Sequence, residues 1–170
     1  PLEEGTILPA TVVGVNKGQA GTPGQLKGSF DSSGFLGSLQ ANTSSGIFGQ
    51  LENVNWADGQ AVEVAQSSQV HTGKATILSN ISGDQVEEYE IEIVKIFPDS
   101  QQDGRDYLIT VTDQRLLETT GGIVQGMSGS PILQDGRFIG AVTHVLINDP
   151  SCGYGISAQR MLSAADKAAQ

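Results

Sequence analysis

Apolar and polar positions alternate with period two over much of this chain. Residues 86–97 are the clearest case, with Glu88, Glu90 and Glu92 interleaved with Tyr89, Ile91 and Ile93. Period two sends the carboxylates to one face of a strand and the apolar side chains to the other. A catalytic carboxylate pair is the sharper alternative; the reading taken is a solvated strand face. Residues 73–80 supply a partner arm, and Ser82-Gly83-Asp84 the turn between the two. Residues 10–15 are short and β-branched, with a turn at Lys17-Gly18. Residues 105–112 predict another strand, ending at Asp113, and residues 115–118 one helical turn. Ile132-Leu133 and residues 138–147 flank Asp135-Gly136, the signature of a tight hairpin. Only residues 158–169 follow a helical period, with Met161, Leu162, Ala165 and Ala168 on one face. No repeat appears at the periods of solenoids. The pattern predicts a mainly β body, a barrel or pair of barrels, with a C-terminal α-helix.

Composition changes this picture at two places. Of 170 residues 22 are Gly, and many fall in 18–50, where Phe30, Phe35, Leu36, Leu39, Ile47 and Phe48 recur every few positions. That spacing predicts short strands joined by tight turns, because a disordered linker lacks such residues. The formal net charge of -10 repels a phosphate backbone and an anionic membrane, so nucleic-acid binding is excluded as a function class. No apolar run approaches the roughly 18 residues of a membrane span. No basic segment followed by an apolar block marks a signal peptide. Pro1-Leu2-Glu3-Glu4-Gly5 has no initiating Met, so the chain reads as a fragment or processed product. Cys152 stands alone and is read as an ordinary small residue in a loop. His71 and His144 have no carboxylate at ligand spacing. Neither a metal nor a cofactor is implied.

The most informative segment is Gly126-Met127-Ser128-Gly129-Ser130-Pro131. A Ser flanked by Gly on a tight turn presents its Oγ without obstruction, and the same turn can aim backbone N–H groups at one point, an oxyanion hole. On spacing alone this is a candidate nucleophile or a plain turn. No long helix follows Ser128, which argues against the α/β-hydrolase elbow. The segment resembles the Gly-Asp-Ser-Gly-Gly-Pro box of trypsin-like serine proteases, and the likeness continues through residues 137–145. It implies a trypsin-like double β-barrel. Thr143, His144 and Val145 then fall on the strand that pairs with substrate and walls the specificity pocket. Gly122 falls where trypsin keeps its pocket Asp, so a basic P1 side chain has no anchor. Met127 replaces the Asp that receives the new N-terminus on zymogen activation, so that activation mode is expected to be absent.

A closer resemblance is to the SpoIVB peptidase family, sporulation serine proteases of endospore-forming bacteria. It is carried by residues 118–132, by Gly140-Ala141-Val142-Thr143-His144-Val145, Asn148-Asp149-Pro150 and Gly153-Tyr154-Gly155. Earlier blocks are Gly24-Gln25-Leu26-Lys27, Gly46-Ile47-Phe48-Gly49 and Glu90-Ile91-Glu92-Ile93-Val94. The resemblance implies Ser128 as nucleophile, Asp113 as triad acid, and the N–H groups of Gly126 and Ser128 as oxyanion hole. Gly122, Gln125, Thr143, His144 and Val145 then shape the substrate groove. Taken alone, Asp113 after a strand reads as a turn former. The family's catalytic His lies in a Gly-x-Leu-Gly-His segment upstream of the part that residues 1–14 resemble. The chain is therefore expected to be a SpoIVB-type peptidase domain over 1–170 that lacks its general base and is inactive alone. His71 is read as a surface or strand-end residue. His144 is read as a groove or hydrogen-bonding residue rather than a surrogate base.

The resemblance further implies an upstream PDZ domain and secretion from the forespore into the space between the two spore membranes. The expected partner is a membrane-bound regulatory protein, cleaved as a substrate in a sporulation signalling checkpoint. Two rivals stand beside this reading. One is a non-catalytic peptide-binding module on a protease-like fold. The other is a spore-structure or adhesion β-domain, suggested only by the Gly-rich 18–50 stretch.

Overall fold

The computed structural model describes residues 5–52, 61–98 and 104–168. Short strands come first: β1 (Gly5–Ile7), β2 (Ala10–Asn16), β3 (Gln25–Phe30), β4 (Gly37–Thr43) and β5 (Gly46–Leu51). They form a three-stranded sheet ordered β1-β4-β5 and the two-stranded β2-β3. After a 3-10 turn at Ser67–Gln69 come β6 (Gly73–Ser82), β7 (Gln85–Ile96), β8 (Tyr107–Val111) and the helix α1 (Gln114–Thr120). The chain continues through β9 (Pro131–Gln134), β10 (Arg137–Leu146), β11 (Asp149–Ser157) and α2 (Ala158–Ala168).

Strands β6 to β11 close into one antiparallel barrel, ordered β10-β11-β8-β7-β6-β9. The period-two pattern produces it. Ala75, Ile77 and Ile81 of β6 and Tyr89, Ile91 and Ile93 of β7 point inward and are buried. Glu88, Glu90 and Glu92 face out, as the alternation predicts. The expected mainly β fold with a barrel and a terminal helix is thus observed. Among the described residues one barrel closes, while the N-terminal strands form two small open sheets.

Two elements depart from the sequence expectation. Strand β11, Asp149–Ser157, carries Pro, Ser and Gly and has little β-propensity. Its glycines are there for close approach. A Cβ at Gly153 would lie 2.4 Å from the His144 carbonyl oxygen, and one at Gly155 2.7 Å from Ile132 Cδ1. Helix α1 is longer than the single turn predicted. Asp113 caps its N-terminus by accepting from the N–H groups of Arg115 and Leu116, and Gly121, at φ 78°, ends it.

Strand direction fixes what shares an end of the barrel. Both β8 and β10 run antiparallel to β11. Their C-terminal ends, which carry Asp113 and Thr143, therefore lie at the same end. The β9–β10 turn at Asp135-Gly136 lies at the other.

Candidate active site

Ser128 sits on the loop between α1 and β9. Three buried side chains root that loop in the barrel core: Ile123, Val124 and Met127, each 1–2% exposed. Met127 therefore anchors the loop by burial, where the trypsin-like pattern has a carboxylate. The turn is closed by Met127 N–H donating to Val124 O at 3.1 Å and Ser130 N–H donating to Met127 O at 3.0 Å. Gly129 N–H donates to Val142 O at 2.8 Å. Gly126 and Gly129 have φ of 100° and 93°, a region that other residues enter only with strain. Ser130 Oγ donates to Ser79 Oγ at 3.2 Å, tying the loop to β6.

The result is an exposed Ser128 whose hydroxyl donates to the Thr143 carbonyl at 3.0 Å. A bulge in the β10–β11 ladder makes that carbonyl available. The register passes from Val142↔Gly155 to His144↔Tyr154 and leaves Thr143 unpaired. Thr143 Oγ1 is shared between the carbonyls of Gly104, at 2.5 Å, and Tyr154, at 3.1 Å, which fixes the residue. Among the described residues, neither Gly126 N–H nor Ser128 N–H has an acceptor. The N–H groups of Gln125, Met127, Gly129 and Ser130 around them are all used. Two uncommitted donors beside an exposed hydroxyl can stabilise an oxyanion.

Other expected positions fall differently. Gln125 is joined by its backbone to β3, with Leu26 N–H donating to Gln125 O at 2.8 Å and Gln125 N–H donating to Gly24 O at 2.9 Å. Gly122 is buried, and a Cβ there would lie 2.2 Å from Pro150 O, so no side chain fits at that position. Val145 packs against the core, and His144 is exposed on β10. His71 lies at the far end of the barrel. Its Nε2 is 3.0 Å from Asp135 Oδ2 and its Nδ1 3.0 Å from its neighbour's carbonyl, Thr72 O. Among the described residues, neither imidazole is a partner of the Ser128 hydroxyl.

Asp113 is buried and its carboxylate is heavily used. Oδ1 accepts from Arg115 N–H at 2.9 Å, Arg115 Nε at 3.2 Å and Leu116 N–H at 3.4 Å. Oδ2 accepts from Arg115 Nη2 at 2.9 Å and Glu90 N–H at 3.3 Å. The Arg115 guanidinium, helped by backbone N–H groups of Glu90, Arg115 and Leu116 and opposed by burial, holds the carboxyl below its ordinary range. Arg115 itself lies over the Tyr89 ring, 5.0 Å from its centroid, so its position is defined. Capping and ion pairing give Asp113 a structural role at the end of β8, with the same carboxylate that the family resemblance assigns to the triad.

The sequence reading marks Gly24-Gln25-Leu26-Lys27 only as a block of family resemblance and misses that this part of the chain touches the loop that carries Ser128. A Cβ on Gly126 would meet Leu26 Cβ at 3.1 Å, and one on Gly24 would meet Val124 Cγ1 at 2.6 Å. No local signal marks these contacts, because about a hundred residues separate the partners along the chain.

A closed antiparallel barrel followed by a C-terminal helix, with a Gly-flanked serine on a loop of the barrel, is the arrangement that the trypsin-like resemblance implies. Solved structures agree on the fold. The chain resembles the active form of Rv3671c protease from M. tuberculosis with TM-score 0.57 and 14% identity, covering 95% of this chain and 80% of that one. An inactive form of Rv3671c from M. tuberculosis H37Rv with a serine-to-alanine substitution gives TM-score 0.57 and 16% identity, over 98% and 80%. No curated protein matches in sequence. The model of the SpoIVB peptidase S55 family matches residues 1–162, so the chain belongs to that family, a family of serine endopeptidases.

Proposed function

We propose that Ser128 is the nucleophile of this serine endopeptidase. The observation that carries the proposal is the exposed Ser128 hydroxyl beside the two uncommitted N–H groups of Gly126 and Ser128. Ser128 Oγ attacks the peptide carbonyl, and the two N–H groups hold the tetrahedral oxyanion. An imidazole takes the Ser128 proton and returns it to the leaving amine. The family resemblance assigns that imidazole to an upstream Gly-x-Leu-Gly-His segment. It assigns Asp113 to orient the imidazole, which requires Arg115 to yield one carboxylate lone pair. The resemblance also assigns Gln125, Thr143, His144 and Val145 to the groove, where Val145 backs it from the core, and Gly122 offers no charge to a basic P1 side chain. On the same resemblance, the substrate is a membrane-bound regulatory protein of a sporulation checkpoint. The enzyme then acts in the space between the two spore membranes, behind an upstream PDZ domain.

A fluorophosphonate probe tests the reading. In the longest natural form of the protein that carries this chain, Ser128 is expected to be labelled, and Ser128→Ala to abolish labelling. Absence of label on that form would sink the nucleophile. Asp113→Asn tests the acid, because Asn caps a helix as well as Asp does. A triad role predicts a fall in turnover on the order of 10⁴-fold. A fall of only a few fold would leave Asp113 as a cap.

A second reading has its own support. The Ser128 hydroxyl is bonded to Thr143 O and the Asp113 carboxylate to Arg115, an arrangement suited to a module that captures an extended peptide without cutting it. Peptide binding with no probe label, in the longest form, is its signature.

A further inference from the structure

The trypsin-like pattern orders its oxyanion loop with an ion pair that Met127 cannot make. Another element is in contact with this loop. The turn between β2 and β3, with the start of β3, meets α1, the β10–β11 turn and the loop that carries Ser128 at successive points. Lys17 Nζ donates to Glu118 O at 2.8 Å and Gly18 N–H to Thr120 O at 2.8 Å. Gly21 N–H donates to Ile147 O at 2.8 Å. Gly24 O and Leu26 N–H then bracket Gln125, as described above.

The last of these bonds has a specific geometric effect. The Gln125 carbonyl and the Gly126 N–H belong to one peptide group. That group is planar and trans, so its C=O and N–H point in opposite directions and turn together. Holding Gln125 O on Leu26 N–H therefore sets where Gly126 N–H points. Gly126 has no Cβ and φ 100°, so nothing in its own side chain prevents this peptide from rotating. Leu26 also covers Gly126 with its side chain.

The geometry points to Leu26 as a positioning residue: its backbone N–H pins the Gln125–Gly126 peptide so that Gly126 N–H faces the oxyanion. Docking of the β2–β3 hairpin thereby holds this donor in place. This inference rests on the assignment of Gly126 to the oxyanion hole, and it adds what controls that donor.

The test separates the Leu26 N–H from its side chain. Leu26→Pro removes the N–H, at a strand edge where proline is tolerated. Leu26→Ala keeps the N–H and trims the cover. Each is treated, in the longest natural form, with a peptidyl diphenyl phosphonate, and capture is resolved into reversible binding and the bond-forming rate. Leu26→Pro is expected to slow bond formation on the order of 100-fold, as for loss of one oxyanion donor, with binding little changed. Leu26→Ala is expected to slow bond formation far less than Leu26→Pro, and the control Lys27→Ala to stay close to wild type. Capture of Leu26→Pro at the wild-type rate overturns the proposal, as does an equal fall in Leu26→Ala. Amide hydrogen exchange on the wild type covers the case in which the proline variant does not fold. Leu26 N–H is expected to exchange as slowly as the β2–β3 ladder, and exchange at the rate of an exposed loop amide overturns the proposal. A wild type that resists the phosphonate while its Leu26 amide is protected instead counts against Ser128 as nucleophile.

Discussion

The two halves of this molecule are built on different terms. In the barrel, Ile77, Ile93, Ile109 and Ile132 are fully buried and belong to one continuous apolar cluster. In the N-terminal sheets, Val13, Phe30 and Ile47 are 65%, 72% and 63% exposed. Leu36 is the one buried hydrophobic residue before position 60 among the described residues. Apolar burial is the main force in folding, so the barrel holds itself together and the N-terminal sheets barely do. Those sheets are joined to the barrel largely through backbone hydrogen bonds, at Val12 with Gly83 and along residues 17–26. The second set lands on α1, on the β10–β11 turn and, at Gln125, on the loop that carries Ser128. A weakly cored element attached at that loop is suited to move, because locally weak regions open at lower free-energy cost.

The largest expected effect breaks this contrast directly. Ile77→Ala should cost about 2–5 kcal/mol of stability, the range for deleting a buried branched side chain. Ile47→Ala on β5 should fall within about 0.5 kcal/mol of wild type, as exposed substitutions do. Chemical denaturation of both variants measures the difference. Comparable losses would show that the N-terminal sheets have a core of their own weight.

The same contrast governs what could be read from the sequence. Strands β6, β7 and β10 were legible because burial on one face imposes period two or β-branched runs. Strand β11 was not, since Gly153 and Gly155 were selected for close backbone approach and carry no hydrophobic pattern. Ser128 was legible because its flanking glycines are local to it. The clamp at Gly24 and Leu26 was hidden, because its meaning depends on Gln125 and Gly126 across the fold. The partner of Asp113 lies two residues away at Arg115, a cap-and-pair spacing visible in the sequence beside the triad role that the family resemblance implies.

Asp113 offers a smaller, sharper test, since it joins the end of β8 to α1 beside the loop. Asp113→Ala removes the cap and should cost about 0.5–2 kcal/mol. Its pH dependence has a definite sign. A carboxyl lowered in the folded state binds a proton less readily there than in the unfolded chain. Its contribution is full above the ordinary Asp range and is lost as pH falls through the lowered folded value. Wild type should therefore lose stability in acid more steeply than Asp113→Ala. Parallel acid titrations of the two would show that the Arg115 pair contributes nothing to the folded state.

The smallest effect belongs to the other end of the barrel. His71 meets Asp135 in the open, with the two side chains 58% and 66% exposed. Hydrogen bonds to Thr72 O and Asp135 raise its pKa above the ordinary imidazole value. A raised imidazole contributes stability below its unfolded pKa and loses it as pH rises through the folded value. His71→Asn should therefore remove a slight fall in stability across that window and leave the melting temperature above it unchanged. Reactivity of Ser128 should not move, because β9 separates the Asp135 turn from the nucleophile loop. A His71→Asn variant with slower probe capture would place a proton-carrying role at this distant end and undo the separation of the two ends.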